Sequence, residues 1–374
     1  MNSSDKVPEI LRTGIGNARN VSRYMFGDGT LNKLESLLRE QKSSEDQYVI
    51  YYIDDYFSNK SKIVSKLSIS RNDELVFVST LREPTTNYID NLVNDLLEKN
   101  KNKPCALVGM GGGITLDVTK AVSNLLTNGG QAHQYQGWDL VKVPGIYKIG
   151  IPTLSGTGAE ATRTCVMTNK SNGLKLGMNS DYTVYDQLIL DPELTITVPR
   201  NQYFYTGMDA YIHCIEALSG NYRNAIGDSF SEEAVRLCRE VFLSDDMMSD
   251  ESRRKMMVAS YLGGCAIAMS YVGVVHPFSA ALSVVFEMHH TVANCVTMRA
   301  MQDFYPQYYQ EFWKMAEYQS VDVPIGIGAS LSDETHNKLY EAMIIHEKPL
   351  TNALGQGFRS ILDRNRARLI FERM

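Results

Sequence analysis

Along the first half of the chain, short runs of apolar, β-branched and aromatic residues alternate with segments whose apolar positions recur at helical spacing. The runs YVIYYI (48–53), LVFVST (75–80), CALVGM (105–110) and IYKIGIP (146–152) are nearly continuous, which predicts strands buried on both faces. Before the first run, TLNKLESLLRE puts Leu31, Leu34, Leu37 and Leu38 on one helical face, and between the runs YIDNLVNDLLEKN and ITLDVTKAVSNLL are also helical in pattern. Strands separated by helices predict a parallel sheet wound on both sides. After Asp191-Pro192 and Pro199 the strand signature stops. DAYIHCIEAL, SEEAVRLCREVFL, ESRRKMMVASYLGGCAIAMSY and HTVANCVTMRAMQDFY all carry helical periodicity, and the polar stretch from about Asp333 onward is helical too. The pattern therefore predicts an α/β domain over 1–198 and an all-α domain over 199–374.

The length of 374 residues suits two domains of ordinary size, and 44% hydrophobic with 21% charged residues describes a globular chain. A net charge of -6 offers no basic field to a phosphate backbone, so nucleic acid is not an expected partner. The opening stretch MNSSDKVPEILRTG lacks the apolar core of a signal peptide, and no apolar run reaches the ~18 residues of a membrane span. Six cysteines at 105, 165, 214, 238, 265 and 295 stand far apart, with no C-x-x-C pair. A cysteine zinc site is thus not expected, and reduced thiols in a cytoplasmic chain are. A helical domain of this size often presents an apolar face to a second subunit, which makes a homodimer the expected assembly.

Two glycine loops follow predicted strands. Gly109-Met110-Gly111-Gly112-Gly113 lies between CALV and a helix, where bare backbone could approach a pyrophosphate at the helix N-terminus. The spacing is not G-x-G-x-x-G, and a tight turn accounts for it equally well. The second loop, Pro152-Thr153-Leu154-Ser155-Gly156-Thr157-Gly158-Ala159-Glu160, offers hydroxyls for ribose or phosphate, or simply for helix capping. Asp54 and Asp55 close the strand YVIYYI. A carboxylate there can bind ribose hydroxyls and repel a 2′-phosphate, favouring NAD over NADP; an acidic pair that merely ends a strand is the plainer reading.

Four further residues suit a metal. Asp209 and His213 are four apart in a helical segment, hence on one face, as ligands or as a helix-stabilising pair. His276 and His290 would be ~21 Å apart along one continuous helix, so they can share a metal only if the chain breaks and folds back between them. VVHPFSAALSVVFEMHHTVAN permits that break, but spacing does not choose between His289 and His290. Three imidazoles and one carboxylate would form a mixed site for one divalent metal, Fe²⁺ or Zn²⁺.

These motifs resemble a known family. GMDAYIHCIEA, GVVHPFSAAL and HHTVAN look like the metal-binding motifs of the iron-containing (group III) alcohol dehydrogenases. FGDGTLNKL, GMGGGITLDVTK and PTLSGTGAEAT resemble that family's cofactor-binding motifs in the same order, so the resemblance runs from about residue 20 to 300. It implies an α/β N-terminal dinucleotide-binding domain with a parallel sheet plus an all-α C-terminal domain, the dehydroquinate synthase-like architecture. It also implies metal-dependent, NAD-linked oxidation of an alcohol. Asp209, His213, His276 and His290 would hold the metal and form the catalytic centre, which selects His290 over His289. Asp55, Gly111, Gly112, Gly113, Asp117, Thr153, Ser155, Thr157 and Lys175 would contact the cofactor.

Within the family, LREPTTNYID, YQGWDLVKVPGIYKIGIPTLSGTGAE and SYVGVVHPFSAALS look most like the branch that oxidises the C8 hydroxyl of 3-deoxy-D-manno-octulosonate, toward an aminated lipopolysaccharide sugar. The implied substrate is an alcohol or sugar acid. Three positions depart from the family pattern: Ala280 stands where many members carry a second histidine, and Ile114 and Ala159 replace serines beside the cofactor. Two rivals use the same fold: a dehydroquinate-synthase-like cyclase, which the aspartate-plus-three-histidine set fits poorly, and a non-catalytic nucleotide or sugar-acid sensor, which Ala280 would favour.

Overall fold

The computed structural model describes residues 18–44, 46–99 and 102–374; the opening stretch MNSSDKVPEILRTG lies outside them. The chain divides into two compact units, one of Arg19–Pro199 and one containing Arg200–Met374.

The first unit is α/β. Its strands are β1 (Arg23–Phe26), β2 (Val49–Asp54), β3 (Glu74–Val78), β4 (Ala106–Gly111), β5 (Gly137–Trp138), β6 (Lys148–Pro152), β7 (Thr164–Asn169), β8 (Leu174–Asn179) and β9 (Gln187–Leu190). Its helices are α1 (Leu34–Arg39), α2 (Ser61–Val64), α3 (Thr86–Lys99) and α4 (Gly113–Asn128). Six strands form a parallel sheet in the order β1-β9-β6-β4-β2-β3, and β5-β8-β7 form a small second sheet. Because successive side chains of a strand point to opposite faces, the continuous apolar runs feed two cores. Ile50, Tyr52 and Leu107 join Val93, Val118 and Val122 on one face. Val49, Tyr51, Ile53, Val108 and Met110 join Leu34, Leu38 and Phe57 on the other. Each large apolar side chain so buried contributes roughly 1.5–3 kcal/mol.

Two features differ from the sequence expectation. LVFVST forms β3, but at the sheet edge, where Leu75 and Phe77 keep 36% and 38% of their surface exposed; an apolar run alone does not reveal that a neighbouring strand is missing on one side. In addition, β1, β7, β8 and β9 carry no strand signature strong enough to read. The strand β1 is a four-residue edge with three exposed residues, and β7 and β8 pair antiparallel in a separate sheet through partly polar residues.

The second unit is helical: α5 (Arg200–Ser219), α6 (Ala225–Phe242), α7 (Asp250–Met269), α8 (Val275–Phe286), α9 (His290–Thr297), α10 (Pro306–Tyr318), α11 (Asp333–Ile344), α12 (Glu347–Leu354), α13 (Phe358–Ile361) and α14 (Arg364–Phe371). Among the described residues no strand occurs there, and among them no helix is long and apolar enough to cross a membrane. The helix α5 is buried on nearly every side, from Tyr203 to Ala217. Gly207 allows this: a Cβ on it would stand 2.4 Å from Cζ of Phe242 and 3.0 Å from Cε of Met256. Gly207→Ala is therefore expected to destabilise the protein by about 1–3 kcal/mol through overpacking, despite alanine's better helix propensity. Denaturant unfolding of the two proteins checks this, and an unchanged or raised midpoint would refute it.

Candidate metal centre and nucleotide-binding edge

In α5, Asp209, His213 and Glu216 follow one another at helical spacing on one face, and all three are buried. The chain does fold back between the two distant histidines. His276 and Pro277 lie in the first turn of α8, where proline's missing N–H costs nothing. The helix ends at Phe286, Glu287 takes a left-handed conformation with φ 52°, and α9 begins at His290. This reversal returns His290 to the α5 face. One ligand atom each from Asp209, His276 and His290 lie within 4.8 Å of one another.

His213 belongs to the same cluster through the carboxylate. The Nε2 atoms of His213 and His276 each stand 3.5 Å from Oδ1 of Asp209, and their rings stack with centroids 4.7 Å apart. The rings of His276 and His290 are 5.5 Å apart. His289 instead stands exposed at the N-cap position of α9, with Nδ1 3.2 Å from the Thr291 hydroxyl.

The electrostatics follow from burial. Burial alone would raise the Asp209 carboxyl, but His213, His276 and His290 outweigh it and hold the group well below the usual carboxylate range. Burial pushes His213 down to about 4, against the attraction of Asp209. Burial also opposes the charged form of His276, yet Glu216 and Asp209 lift that ring to about 9. Among the described residues, the ion-pair partners of Asp209 and Glu216 are imidazoles alone. Oδ2 of Asp209, Nδ1 of His213 and Nε2 of His276 are buried without a hydrogen-bond partner. Two buried carboxylates facing imidazole nitrogens fit a divalent cation, which would take the place of the His276 proton and satisfy Oδ2 of Asp209 and Nε2 of His276 together.

Asn294 and Glu216 escape a reading by ligand type. Asn294, one turn after His290 and fully buried, donates from Nδ2 to Oδ1 of Asp209 at 2.6 Å and stands 3.3 Å from Nε2 of His290. Glu216 meets Nδ1 of His276. The signal that could have found them is helical spacing from a ligand: seven residues after Asp209 and four after His290.

In the α/β unit, the carboxyl ends of β6, β4 and β2 lie side by side, because these three strands are neighbours and parallel. Both glycine loops and the Asp54-Asp55 pair therefore reach one edge, the position at which open α/β sheets bind ligands. Space dictates the glycines here. A Cβ on Gly111 would be 2.7 Å from Cβ of Thr115 and 3.0 Å from Cβ of Asp54, and one on Gly112 would be 2.8 Å from Cδ1 of Leu154. Gly112 caps α4 with no side chain over its first turn, so that end of a sixteen-residue helix can receive an anion. The backbone N–H of Thr153 donates to the Gly111 carbonyl at 3.0 Å, joining the loops. The Ser155 hydroxyl is buried without a partner, and Thr157 lies 3.3 Å from a Gly113 Cβ position. Such an edge could cradle a dinucleotide. Where the family pattern has serines, Ile114 packs against the sheet core, and the Ala159 N–H is met by the Thr157 hydroxyl at 3.3 Å.

Three acidic or basic residues have other partners. Asp54 accepts from the Tyr56 N–H at 3.0 Å and the Thr80 hydroxyl at 3.4 Å, leaving the partly exposed Asp55 as the acidic group of this corner. Asp117 accepts from the Val166 N–H of β7 at 2.9 Å, and burial raises it to about 7 against the pull of Lys120. Lys175 on β8 pairs with Glu83 at 3.0 Å.

Two family models match adjoining parts of the chain: iron-containing alcohol dehydrogenase over 21–192, and the C-terminal part of the Fe-containing alcohol dehydrogenase family over 203–345. The chain is 36% identical to sulfoacetaldehyde reductase of Bilophila wadsworthia over 191 residues, covering 50% of this chain and 49% of that protein. It is 32% identical to NAD-dependent methanol dehydrogenase of Bacillus methanolicus over 215 residues, 56% of each chain. The match thus spans about half the length of these curated relatives. A crystal structure of 1,3-propanediol oxidoreductase shares the fold, with a TM-score of 0.81 over 95% of this chain and 98% of that one at 19% identity. The parallel α/β unit and the helical unit are the architecture of these proteins, and the chain belongs to the iron-containing alcohol dehydrogenase family.

Proposed function

We propose that the chain is a metal-dependent, NAD-linked oxidoreductase acting on a CH–OH group, with Asp209, His213, His276 and His290 as ligands of one divalent cation. The observation that carries this reading is the meeting of Asp209, His276 and His290 within 4.8 Å, from three helices, in a chain of this family. When bound, the cation would acidify the substrate hydroxyl and NAD would take up the hydride. Asp209 supplies negative charge already held in its ionised form, and the imidazoles supply nitrogen donors. Such a mixed set accepts Fe²⁺ or Zn²⁺, with Zn²⁺ the tighter binder.

For the nucleotide, Gly111, Gly112 and Gly113 admit the pyrophosphate to the N-terminus of α4, and Thr153, Ser155 and Thr157 offer hydroxyls. Asp55 binds ribose and disfavours a 2′-phosphate. Asp117 and Lys175 act at one remove, through β7 and β8. Ala280, one turn beyond His276 and buried, offers a methyl group only; the hydroxyl proton therefore leaves through water or another substrate hydroxyl.

The finer reading of the substrate is 3-deoxy-D-manno-octulosonate, oxidised at C8, supported by LREPTTNYID, the YQGWDLVKVPGIYKIGIP stretch and SYVGVVHPFSAALS. A short alcohol–aldehyde pair is the second reading, favoured by the names of the relatives, sulfoacetaldehyde reductase and methanol dehydrogenase. Six free cysteines support a reducing, cytoplasmic location. A homodimer is part of the proposal, supported by Tyr24 and Phe26 exposed on the edge strand β1.

Three outcomes follow. Titration of the metal-stripped protein with Zn²⁺ should give one site per chain, and His276→Ala should abolish turnover and weaken that site; retained turnover would sink the ligand assignment. NADH formation with 3-deoxy-D-manno-octulosonate should exceed that with methanol or reversal of NADH-dependent sulfoacetaldehyde reduction, and the opposite order selects the second reading. Finally, Asp55→Ser should raise the use of NADP relative to NAD by about tenfold or more, measured as the ratio of kcat/KM values. An unchanged ratio would remove Asp55 from the ribose site.

A further inference from the structure

Glu216 is buried with 1% exposure and divides its two oxygens between two tasks. Oε2 meets Nδ1 of His276, and Oε1 accepts from the Val275 N–H at 2.6 Å. The second task answers a defect of α8. Val274 occupies its N-cap and has no side-chain oxygen, so the first N–H groups of this helix need acceptors from elsewhere. Val275 finds Glu216, and Val274 donates to the Tyr305 hydroxyl at 3.1 Å, which itself lies 3.4 Å from Oε1 of Glu216. Gly273 makes the approach feasible, since a Cβ there would stand 2.4 Å from the Tyr305 hydroxyl and 3.1 Å from Oε1 of Glu216.

The first task concerns the ring. A neutral imidazole has one N–H and one lone pair, and whichever nitrogen donates leaves the other to ligate. With Glu216 accepting at Nδ1, the lone pair falls on Nε2. That atom is buried without a hydrogen-bond partner and 3.5 Å from Oδ1 of Asp209. We propose that Glu216 is the positioning residue of the metal centre: through the Nδ1 bond and the capped start of α8, it fixes the tautomer and direction of His276 so that Nε2 faces the cation. This inference rests on the ligand reading given above. A carboxylate behind a ligating histidine also makes it a better donor.

The test uses the full chain stripped of metal, with Zn²⁺ affinity measured by chelator competition and metal-free stability by thermal unfolding. Glu216→Gln keeps the size and one acceptor oxygen. If that oxygen stays on Val275, its amide group faces Nδ1 and drives the proton to Nε2. Zn²⁺ affinity is therefore expected to fall by about 10–100-fold in Glu216→Gln, and Glu216→Asp to bind more tightly than Glu216→Gln. Tyr305→Phe removes the Val274 acceptor but leaves the Glu216–His276 bond. It should lower metal-free stability while keeping most of the affinity, which separates helix capping from ring positioning. Affinity of Glu216→Gln within about twofold of the unaltered protein, with His276→Ala still defective, overturns the role of Glu216 alone. Equal loss in Tyr305→Phe and Glu216→Gln reduces Glu216 to a helix cap. Failure of the unaltered protein to bind Zn²⁺ overturns the ligand reading and this inference with it.

Discussion

A carboxylate removed from water must be surrounded by donors or cations, because an isolated buried charge costs several kcal/mol even after the protein relaxes. Asp209 is such a group, with none of its surface exposed, in the middle of a helix that is itself packed on nearly every side. Its neighbours are accordingly polar: the amide of Asn294 at 2.6 Å and the Nε2 atoms of His213 and His276 at 3.5 Å. Meeting that demand shapes the backbone. It requires His276 to lie in the first turn of α8, the chain to reverse at Glu287, and α9 to begin at His290. Buried polar networks repay their desolvation only when each member is partnered, so Glu216 and Asn294 are as much part of the centre as the residues they touch.

In the α/β unit the governing constraint is steric. Three parallel strands bring their carboxyl ends together, and the chain must turn into α4 with Asp54, Thr115 and Leu154 already within contact distance. Only residues without a Cβ satisfy this without shifting their neighbours. The face of α4 turned to the small sheet is held by polar ties instead. Lys120, fully buried and with its ammonium pKa lowered by that burial, donates to the Thr162 carbonyl and hydroxyl at 3.0 and 3.1 Å and to the Thr164 carbonyl at 2.8 Å. Asp117 secures Val166 beside it. These bonds anchor the loop that follows β6, so the acidic residue of the GITLDVTK motif shapes the edge from behind.

Much of this was legible from residue order. Continuous apolar runs marked β2, β4 and β6 because burial on both faces leaves no polar positions, and period-3.6 patterns marked α5, α6, α7 and α9 but not α10. The four-residue interval between Asp209 and His213, and the proline after His276, are local features of α-helical geometry. The edge strand β1 and the small sheet were not legible. Their residues are half exposed, and their partners lie far along the chain, as with Arg23 opposite Gln187.

What the sequence determined by itself were the periodicities and the chemical inventory: which segments are helix or buried strand, where glycine opens space, and which side chains can ligate. Tertiary packing alone decided which of those side chains meet. The reversal after Phe286 selects His290 over its neighbour, and the start of α8 hands the Nδ1 of His276 to a glutamate sixty positions earlier. The physical reason is that local periodicity encodes the face on which a residue lies. Proximity between faces depends on how buried groups from distant elements satisfy one another, and that balance is struck only when the chain is folded.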